Sequence, residues 1–156
     1  MSNLVADAYR IARATGGPVE HPMVHSGAIH APVPGRTDRL PVHVWSGAYV
    51  LPADVVSGIG EGNTFAGSKT LDRMFDRENG YFASRMAKAK GGAVKKDWHP
   101  TAAILAGGEY VIDPDIVEAI GGGDIEKGHR ELDKFVLSRR KKTIKTLRKL
   151  PGPVKD

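Results

Sequence analysis

The chain lacks cysteine and two common sequence patterns, and each absence excludes a class of protein or site. None of its 156 residues is a cysteine, which excludes disulfide bonds and thiolate metal sites. No apolar run approaches the roughly 20 residues that span a bilayer. The first residues lack the basic and apolar regions of a signal peptide. We therefore expect a soluble protein that tolerates a reducing compartment and has no membrane partner.

Glycine and proline, in contrast, are abundant, with 19 and 10 residues respectively. Residues 3–14 have the apolar spacing of a short amphipathic helix, which Gly16 and Gly17 end. The next residues, up to Pro41, contain five prolines and little periodicity. This composition predicts an extended arm that lies on a neighbouring molecule.

An internal repeat is the most informative feature of the sequence. When the sequence is shifted by 61 positions, residues 47–75 align with residues 108–136 without a gap, and 11 of the 29 aligned positions are identical. The identical pairs include Tyr49/Tyr110 and Asp72/Asp133. Chance gives about one identity in 15 to 20 positions for the residue types of average proteins. The pattern therefore indicates a duplication.

Each copy has the same order of predicted elements. An extended stretch (residues 40–45 or 102–105) meets a glycine turn, and a second strand follows at residues 49–51 or 110–112. We interpret each pair as a β-hairpin. A short helix follows, at residues 53–59 or 114–120, with an acidic residue in its first turn and glycines at its end. Asn63 or Asp124 is then placed to cap a second helix.

The sequence therefore predicts an α+β fold built from two ββαα units. The last helix of the second unit is longer than its counterpart, and Pro151 ends it. Its apolar positions are Leu132, Phe135, Val136, Ile144, Leu147 and Leu150. Four segments result: an N-terminal helix and arm (1–38), a first unit (39–79), a connector (80–100, with a short helix at 81–90) and a second unit with the long helix (101–156).

The sequence contains no complete nucleotide-binding motif. A P-loop requires GxxxxGK[ST], but Ser68 separates Gly67 from Lys69, and the loop follows a short helix rather than a buried strand. The glycines at 58, 60 and 62 also miss the dinucleotide-binding pattern, because position 63 is Asn. A capped helix–helix corner is the better interpretation.

Neither the histidines nor the carboxylates form a recognisable catalytic or metal site. His21 and His25 are four residues apart, but Pro22 between them argues against a continuous helix. We favour a surface or structural role for the histidines. A metal site stays an alternative only if the arms of several copies converge. The repeated carboxylates are explained by helix position: Asp54 and Asp115 suit the first turn, and Asp72 and Asp133 an exposed face. We expect no catalytic residue, no cofactor and no metal.

A cationic run near the C-terminus is the strongest candidate binding feature. No acidic residue occurs between Asp133 and Asp156. Seven basic residues lie within residues 139–149: Arg139, Arg140, Lys141, Lys142, Lys145, Arg148 and Lys149. Cations in the last turn suit the helix dipole, but three turns of uninterrupted charge exceed that need. Contact with phosphates or with an acidic protein surface is the functional interpretation. No helix-turn-helix, zinc-finger or aromatic-stacking pattern points to sequence-specific DNA reading.

The repeat resembles a known group of proteins. Residues 38–44 and 46–56, and residues 106–112 in the second copy, resemble segments of tailed-bacteriophage virion proteins, including tape-measure ends and small structural proteins of short-tailed phages. Residues 142–153 are similar to the ends of small phage and prophage proteins with the same double repeat. The resemblance covers about residues 27–75 and 102–156.

Two positions depart from that pattern: Ala48, where Glu is usual, and Asp113, where Pro is usual. The family has no catalytic residues to transfer. The resemblance implies a non-enzymatic structural component of a short-tailed phage virion, in the tail or head–tail region, that binds neighbouring virion proteins in a symmetric multi-copy assembly. The alternative is an internal virion protein that contacts DNA through the cationic helix. A small phosphate-handling enzyme remains a distant third hypothesis.

Overall fold

The fold is α+β, with four helices and two small antiparallel sheets in the part of the chain that the structure describes. The structure is a computed structural model, and it describes residues 23–30, 40–76, 80 and 97–152. The strands are β1 (Gly27–Ala28), β2 (Leu40–Trp45), β3 (Tyr49–Leu51), β4 (Pro100–Leu105) and β5 (Tyr110–Ile112). The helices are α1 (Ala53–Ile59), α2 (Thr64–Phe75), α3 (Pro114–Ile120) and α4 (Ile125–Leu147).

Local sequence signals explain where the helices begin. The Asn63 side chain accepts hydrogen bonds from the backbone N–H groups of Phe65 and Ala66, and so caps α2. The Asp124 side chain does the same for α4 through the N–H of Lys127. Both caps were predicted, and α1 and α3 have the predicted bounds.

The predicted β-hairpins are wrong, because each strand pairs with its counterpart in the other copy. β2 pairs with β4, and β3 pairs with β5, both antiparallel. The two strands of one copy therefore belong to different sheets, and the turn at Gly47 (φ 85°) leads the chain from one sheet to the other. An isolated two-stranded hairpin is only marginally stable. Pairing across the copies instead makes β5 a central strand, with β3 on one side and β1 on the other.

In each ladder, one pair of opposed residues is 61 positions apart, which is the offset of the repeat. In the first pair of strands, Val42 lies opposite Ala103, and in the second pair Val50 lies opposite Val111. The remaining partners are arranged symmetrically about these centres: Tyr49 is opposite Ile112, and Leu51 is opposite Tyr110. Each ladder therefore has an approximate two-fold axis through its middle.

Two hydrophobic clusters lie on opposite faces of the three-stranded sheet. The main core lies between this sheet and the helices, and includes Leu51, Val56, Leu71, Ile112, Val117 and Leu132. The ribbon core lies between the sheet and the β2–β4 ribbon, and consists of Ile29, Val44, Leu105 and Val111. Alternation along β5 explains the division, because Tyr110 and Ile112 face the main core while Val111 faces the other side.

Hydrogen bonds between the copies recur at equivalent positions. The Tyr110 hydroxyl donates to Asp72 (2.9 Å), and the Tyr49 hydroxyl donates to Asp133 (2.7 Å). Burial and the hydrogen bond to a carboxylate raise the pKa of both phenols. Asp72 and Asp133 therefore do more than solvate an exposed helix face, which is the role that the sequence suggested.

Part of the predicted arm packs within the chain rather than on a neighbour. Gly27 and Ala28 pair with β5, the N–H of His25 donates to the carbonyl of His43, and Ile29 is buried in the ribbon core. The predicted helix at residues 3–14 and the connector helix at residues 81–90 lie outside the described residues.

Candidate interaction surface on the C-terminal helix

The C-terminal half of α4 continues past the position at which α2 ends. α2 ends at Phe75, which aligns with Val136, whereas α4 continues to Leu147. Residues 137–147 therefore extend beyond the duplicated core. All the basic residues singled out in the sequence lie on this extension or in the two residues after it.

The extension is held against α1 by a bidentate ion pair. Arg140 Nε and Nη2 donate to the two carboxylate oxygens of Asp54, at 2.8 and 3.0 Å. The hydrogen bond from Arg140 lowers the pKa of the Asp54 carboxyl; partial burial opposes this effect and the guanidinium charge reinforces it. One turn further on, Gly58 of α1 lies so close to Thr143 that a Cβ atom there would meet the hydroxyl at 3.0 Å. Arg140 therefore positions the helix.

The seven predicted cations divide into two groups. Arg140 is paired with Asp54, and the Arg139 guanidinium lies 5.0 Å from the centre of the Phe135 ring. Within the described part of the chain, no ion pair engages the other five side chains, which are exposed: Lys141, Lys142, Lys145, Arg148 and Lys149. These five are the cations of the run that have neither an ion pair nor a ring contact within the described residues, so we treat them as available to an external anion.

Three of the available cations share one face. Lys141, Lys145 and Arg148 follow one another at intervals of four and three residues, which places them on the same side of the helix. We call these three residues the cationic flank.

An exposed apolar stripe lies beside this flank, and sequence reasoning missed it. Leu137, Ile144 and Leu147 are 58%, 50% and 58% exposed, at intervals of seven and three residues. We call these three residues the α4 seam. Their spacing is that of the contact positions of a packed helix pair.

Ile144, Leu147 and Leu150 were predicted as apolar positions of the last helix. Leu132 and Val136 do enter the core, but α4 ends at Leu147, and Leu150 lies beyond it with 61% of its surface exposed. The alignment of the two copies indicates where the core part of α4 ends. The last core position of the first copy is Phe75, which is equivalent to Val136, so the apolar residues after Val136 lie beyond the core.

The other candidate features have structural roles. Lys69 lies over the Phe65 ring at 4.4 Å, and Gly67 packs against the backbone of Val56, so these residues of the near-P-loop form a helix–helix corner. The ring nitrogens of His25 and His129 contact the carbonyl oxygens of Ala28 and Gly47. Among residues 23–30, 40–76, 80 and 97–152, no group of three metal-ligating side chains occurs.

Comparisons with known proteins return no match to a protein-family model, to a curated protein or to a solved structure. In the described part of the chain, no helix combines the length and the apolar character needed to cross a bilayer.

Proposed function

We propose that the chain is a non-enzymatic structural component of a short-tailed phage virion, in the tail or head–tail region, and that it acts by binding a neighbouring virion protein. The observation that carries the binding role is the α4 seam. Three large apolar side chains at helix-packing intervals remain exposed on an extension that the core does not require. The phage virion as the place of action is proposed from the resemblance of the repeat to virion proteins.

The energetics favour a partner for this extension. Fully burying a Leu or Ile side chain contributes about 1.5–3 kcal/mol, so covering the exposed half of three such side chains contributes a few kcal/mol. The cationic flank next to the seam favours a partner surface that is acidic at its edge.

The architecture proposed for the rest of the molecule is a duplicated ββαα unit whose strands are exchanged between the copies. The support for it is the register, in which each ladder is arranged about one opposed pair of residues 61 positions apart, together with the equivalent Tyr–Asp hydrogen bonds. Among the described residues, the helix of the second copy extends beyond the end of its counterpart in the first. A body with approximate two-fold symmetry would then present a single docking helix, which suits a protein that joins two different environments.

The amount of each variant chain that is incorporated into phage virions tests the proposal. The double variant Leu137→Ser, Ile144→Ser removes most of the seam, and Phe65→Ser, which removes an equally exposed apolar side chain from α2, is the matched control. Substitutions at exposed positions such as these change stability by about 0.5 kcal/mol or less. We expect mass spectrometry of purified virions to detect the wild-type chain and the control, but little of the seam variant.

Two results would overturn the proposal: virions that contain none of the wild-type chain, or virions that take up the seam variant as well as the wild type. Circular dichroism and thermal unfolding of the isolated variants verify that each is folded before incorporation is compared.

The second candidate function, contact with DNA, is favoured by the five available cations. If all five contact phosphates of duplex DNA, the slope of log K against log salt is about −4.5, since each contact contributes about −0.9. Substituting Lys141 by Ala should then reduce the slope by about 0.9, whereas Lys69→Ala, on a different helix, should leave it unchanged. Fluorescence anisotropy with a labelled duplex provides the measurement. Absence of binding at low salt excludes this function.

A further inference from the structure

The α4 seam has the geometry of one half of a helix pair. Leu137, Ile144 and Leu147 follow one another at intervals of seven and three residues, which are the a, a and d positions of a heptad. Residues 137–147 extend about 15 Å along the helix axis, which is about three turns. The stripe is narrow, whereas a helix that lies on a membrane presents a broad apolar face. This geometry favours a second helix as the occupant of the seam.

The two borders of the seam differ. On one side α1 is already packed against α4, where Arg140, the remaining d position, pairs with Asp54. One turn further on, Thr143 lies close to Gly58 of α1. On the other side lies the cationic flank, which has no ion pair within the described residues. A second helix on the seam therefore meets charge along its outer edge, and that charge is positive.

The heptad positions of the flank place its charges where a partner helix would meet them. Lys141 and Arg148 occupy e positions, directly beside the seam, and Lys145 lies next to them on the helix surface. In helix pairs, charges at these positions pair with charges at the flanking positions of the partner. Opposite charges attract there and like charges repel. The flank therefore selects a partner helix that carries Asp or Glu beside its own apolar stripe.

Charge also separates an external partner from the chain's own segments. Outside the described residues, residues 1–22 contain two basic and two acidic residues, and residues 77–96 contain six basic residues and one acidic residue. Residues 31–39 contain two basic residues and one acidic residue, and residues 153–156 contain one of each. A second copy that presented its own seam would bring a second cationic flank, on a chain whose net charge is +5. None of these occupants is net acidic, so charge favours a different protein.

We propose that the partner of the α4 seam is an amphipathic helix with acidic residues beside its apolar stripe, and that it packs along residues 137–148 on the side away from α1. This inference rests on the proposed function, because it names the chemistry of the neighbour that the seam binds. It can nevertheless fail while that function stands. The contact covers about three turns of helix, so we expect a dissociation constant in the micromolar range.

Two synthetic peptides of about three heptads test the inference. The Glu peptide has Leu at its a and d positions and Glu at its e and g positions, and the Lys peptide differs only in having Lys in place of Glu. Like charges at e and g oppose the pairing of either peptide with itself. Fluorescence anisotropy of each labelled peptide, titrated with the full chain, measures binding. At low salt we expect the wild type to bind the Glu peptide about tenfold more tightly than the Lys peptide, and this preference should shrink as salt is added.

Reversing the charge of the flank should reverse the preference. We expect the double variant Lys141→Glu, Arg148→Glu to bind the Glu peptide about tenfold more weakly than the wild type and the Lys peptide more tightly. The double variant Lys69→Glu, Lys127→Glu makes the same change of charge at exposed positions away from the seam and should keep the wild-type preference. All four positions are exposed, and circular dichroism verifies that each variant is folded.

Removing the seam should have a different effect. Both peptides use their apolar stripe, so Leu137→Ser with Ile144→Ser should weaken the binding of both, and Phe65→Ser should weaken neither.

Several outcomes overturn the inference. The wild-type chain binds neither peptide, it binds both equally, or the charge-reversed variant keeps the wild-type preference. Binding to phosphatidylglycerol vesicles or to duplex DNA, with no binding to the Glu peptide, also overturns it, because the flank then recognises phosphate rather than a helix.

Comparison with virion incorporation separates this inference from the proposed function. If incorporation depends on the seam but the Glu peptide does not bind, the inference fails and the proposed function stands. If the Glu peptide binds with the expected preference but virions contain none of the chain, the inference about the surface stands and the proposed function fails.

Discussion

Single glycine residues allow the two helices of each copy to pack closely. Gly67 in α2 and Gly128 in α4 occupy equivalent positions, and at each of them a Cβ atom would lie 1.9 Å from a carbonyl oxygen, of Val56 and Val117 respectively. Glycine in a helix interior costs about 1 kcal/mol relative to alanine. Its presence at both positions therefore follows from the close approach of the two helices.

Substituting either glycine by alanine should destabilise the protein. We expect Gly67→Ala and Gly128→Ala each to lower the free energy of unfolding by about 2 kcal/mol or more, because backbone must move to relieve the overlap. Gly58→Ala is the control, since the nearest atom there is a threonine hydroxyl that can rotate, and its effect should stay within about 1 kcal/mol. Urea unfolding followed by circular dichroism measures all three. Equal effects at positions 58, 67 and 128 would contradict the packing argument.

The Asp54–Arg140 ion pair predicts a pH dependence. The pKa of Asp54 is lower in the folded chain than in the unfolded chain, so its stabilising contribution is complete above the ordinary aspartate pKa of about 3.9 and is lost as the pH falls through the folded value. The stability difference between the wild type and Asp54→Asn should therefore be largest near neutral pH and disappear in acid. Thermal unfolding from pH 7 to pH 2 measures it. Glu61→Gln, at an exposed acid, is the control, and a difference for Asp54→Asn that persists at the lowest pH would exclude the ion pair as its cause.

At the scale of elements, the sequence predicted where helices and strands occur but not how the strands pair. Proline, glycine and capping residues act locally, so they determined the bounds of α1 and α3 and the caps of α2 and α4. Pairing depends on which faces become buried together, and that is a property of the whole fold. Because the copies are similar, β3 can meet either its own neighbour or its counterpart, and the burial of Leu51 opposite Tyr110 in the main core favours the counterpart.

Engineered cysteines test the exchanged pairing. His43 and Ala102 lie directly opposite each other on the exposed face of the ribbon, and the native chain has no cysteine to interfere. Directly opposed residues have Cβ atoms about 4.5–5.5 Å apart, close to disulfide geometry. We expect the double variant His43→Cys, Ala102→Cys to form an intramolecular disulfide on mild oxidation, detected by non-reducing electrophoresis of dilute protein. Pro41→Cys with Pro100→Cys, offset along the ribbon, should not form one, and rapid bridging of that pair instead would contradict the register.

The candidate site was predicted only in part, for a related reason. The run of charges at residues 139–149 is visible in the sequence, but the sequence does not show that Arg140 is committed to Asp54 across 86 positions. Nor does it show that Ile144 and Leu147 lie beyond the core rather than in it, since periodic apolar residues look the same in either setting. The tertiary structure separates the cations that position the helix from those available to a partner.

For the whole molecule, we propose that the folded body and the α4 extension have different roles. In this proposal, the body with strands paired across the copies supplies rigidity, and the α4 extension binds a neighbouring component. Within the described residues, the length of α4 relative to α2 distinguishes the second copy from the first. If the chain joins a symmetric assembly to a different neighbour, as proposed, it needs this kind of asymmetry.

The most direct test of the central claim is the accessibility of Ile144 in free and assembled protein. A single cysteine introduced by Ile144→Cys reports on the seam, and Thr70→Cys, on the exposed side of α2, reports on general accessibility. In the free chain both thiols should react readily with a maleimide reagent. In purified virions, we expect the thiol at position 144 to be protected from the maleimide reagent. It should become reactive again when the particles are dissociated. Equal reactivity at position 144 in the free chain and in intact virions would contradict it.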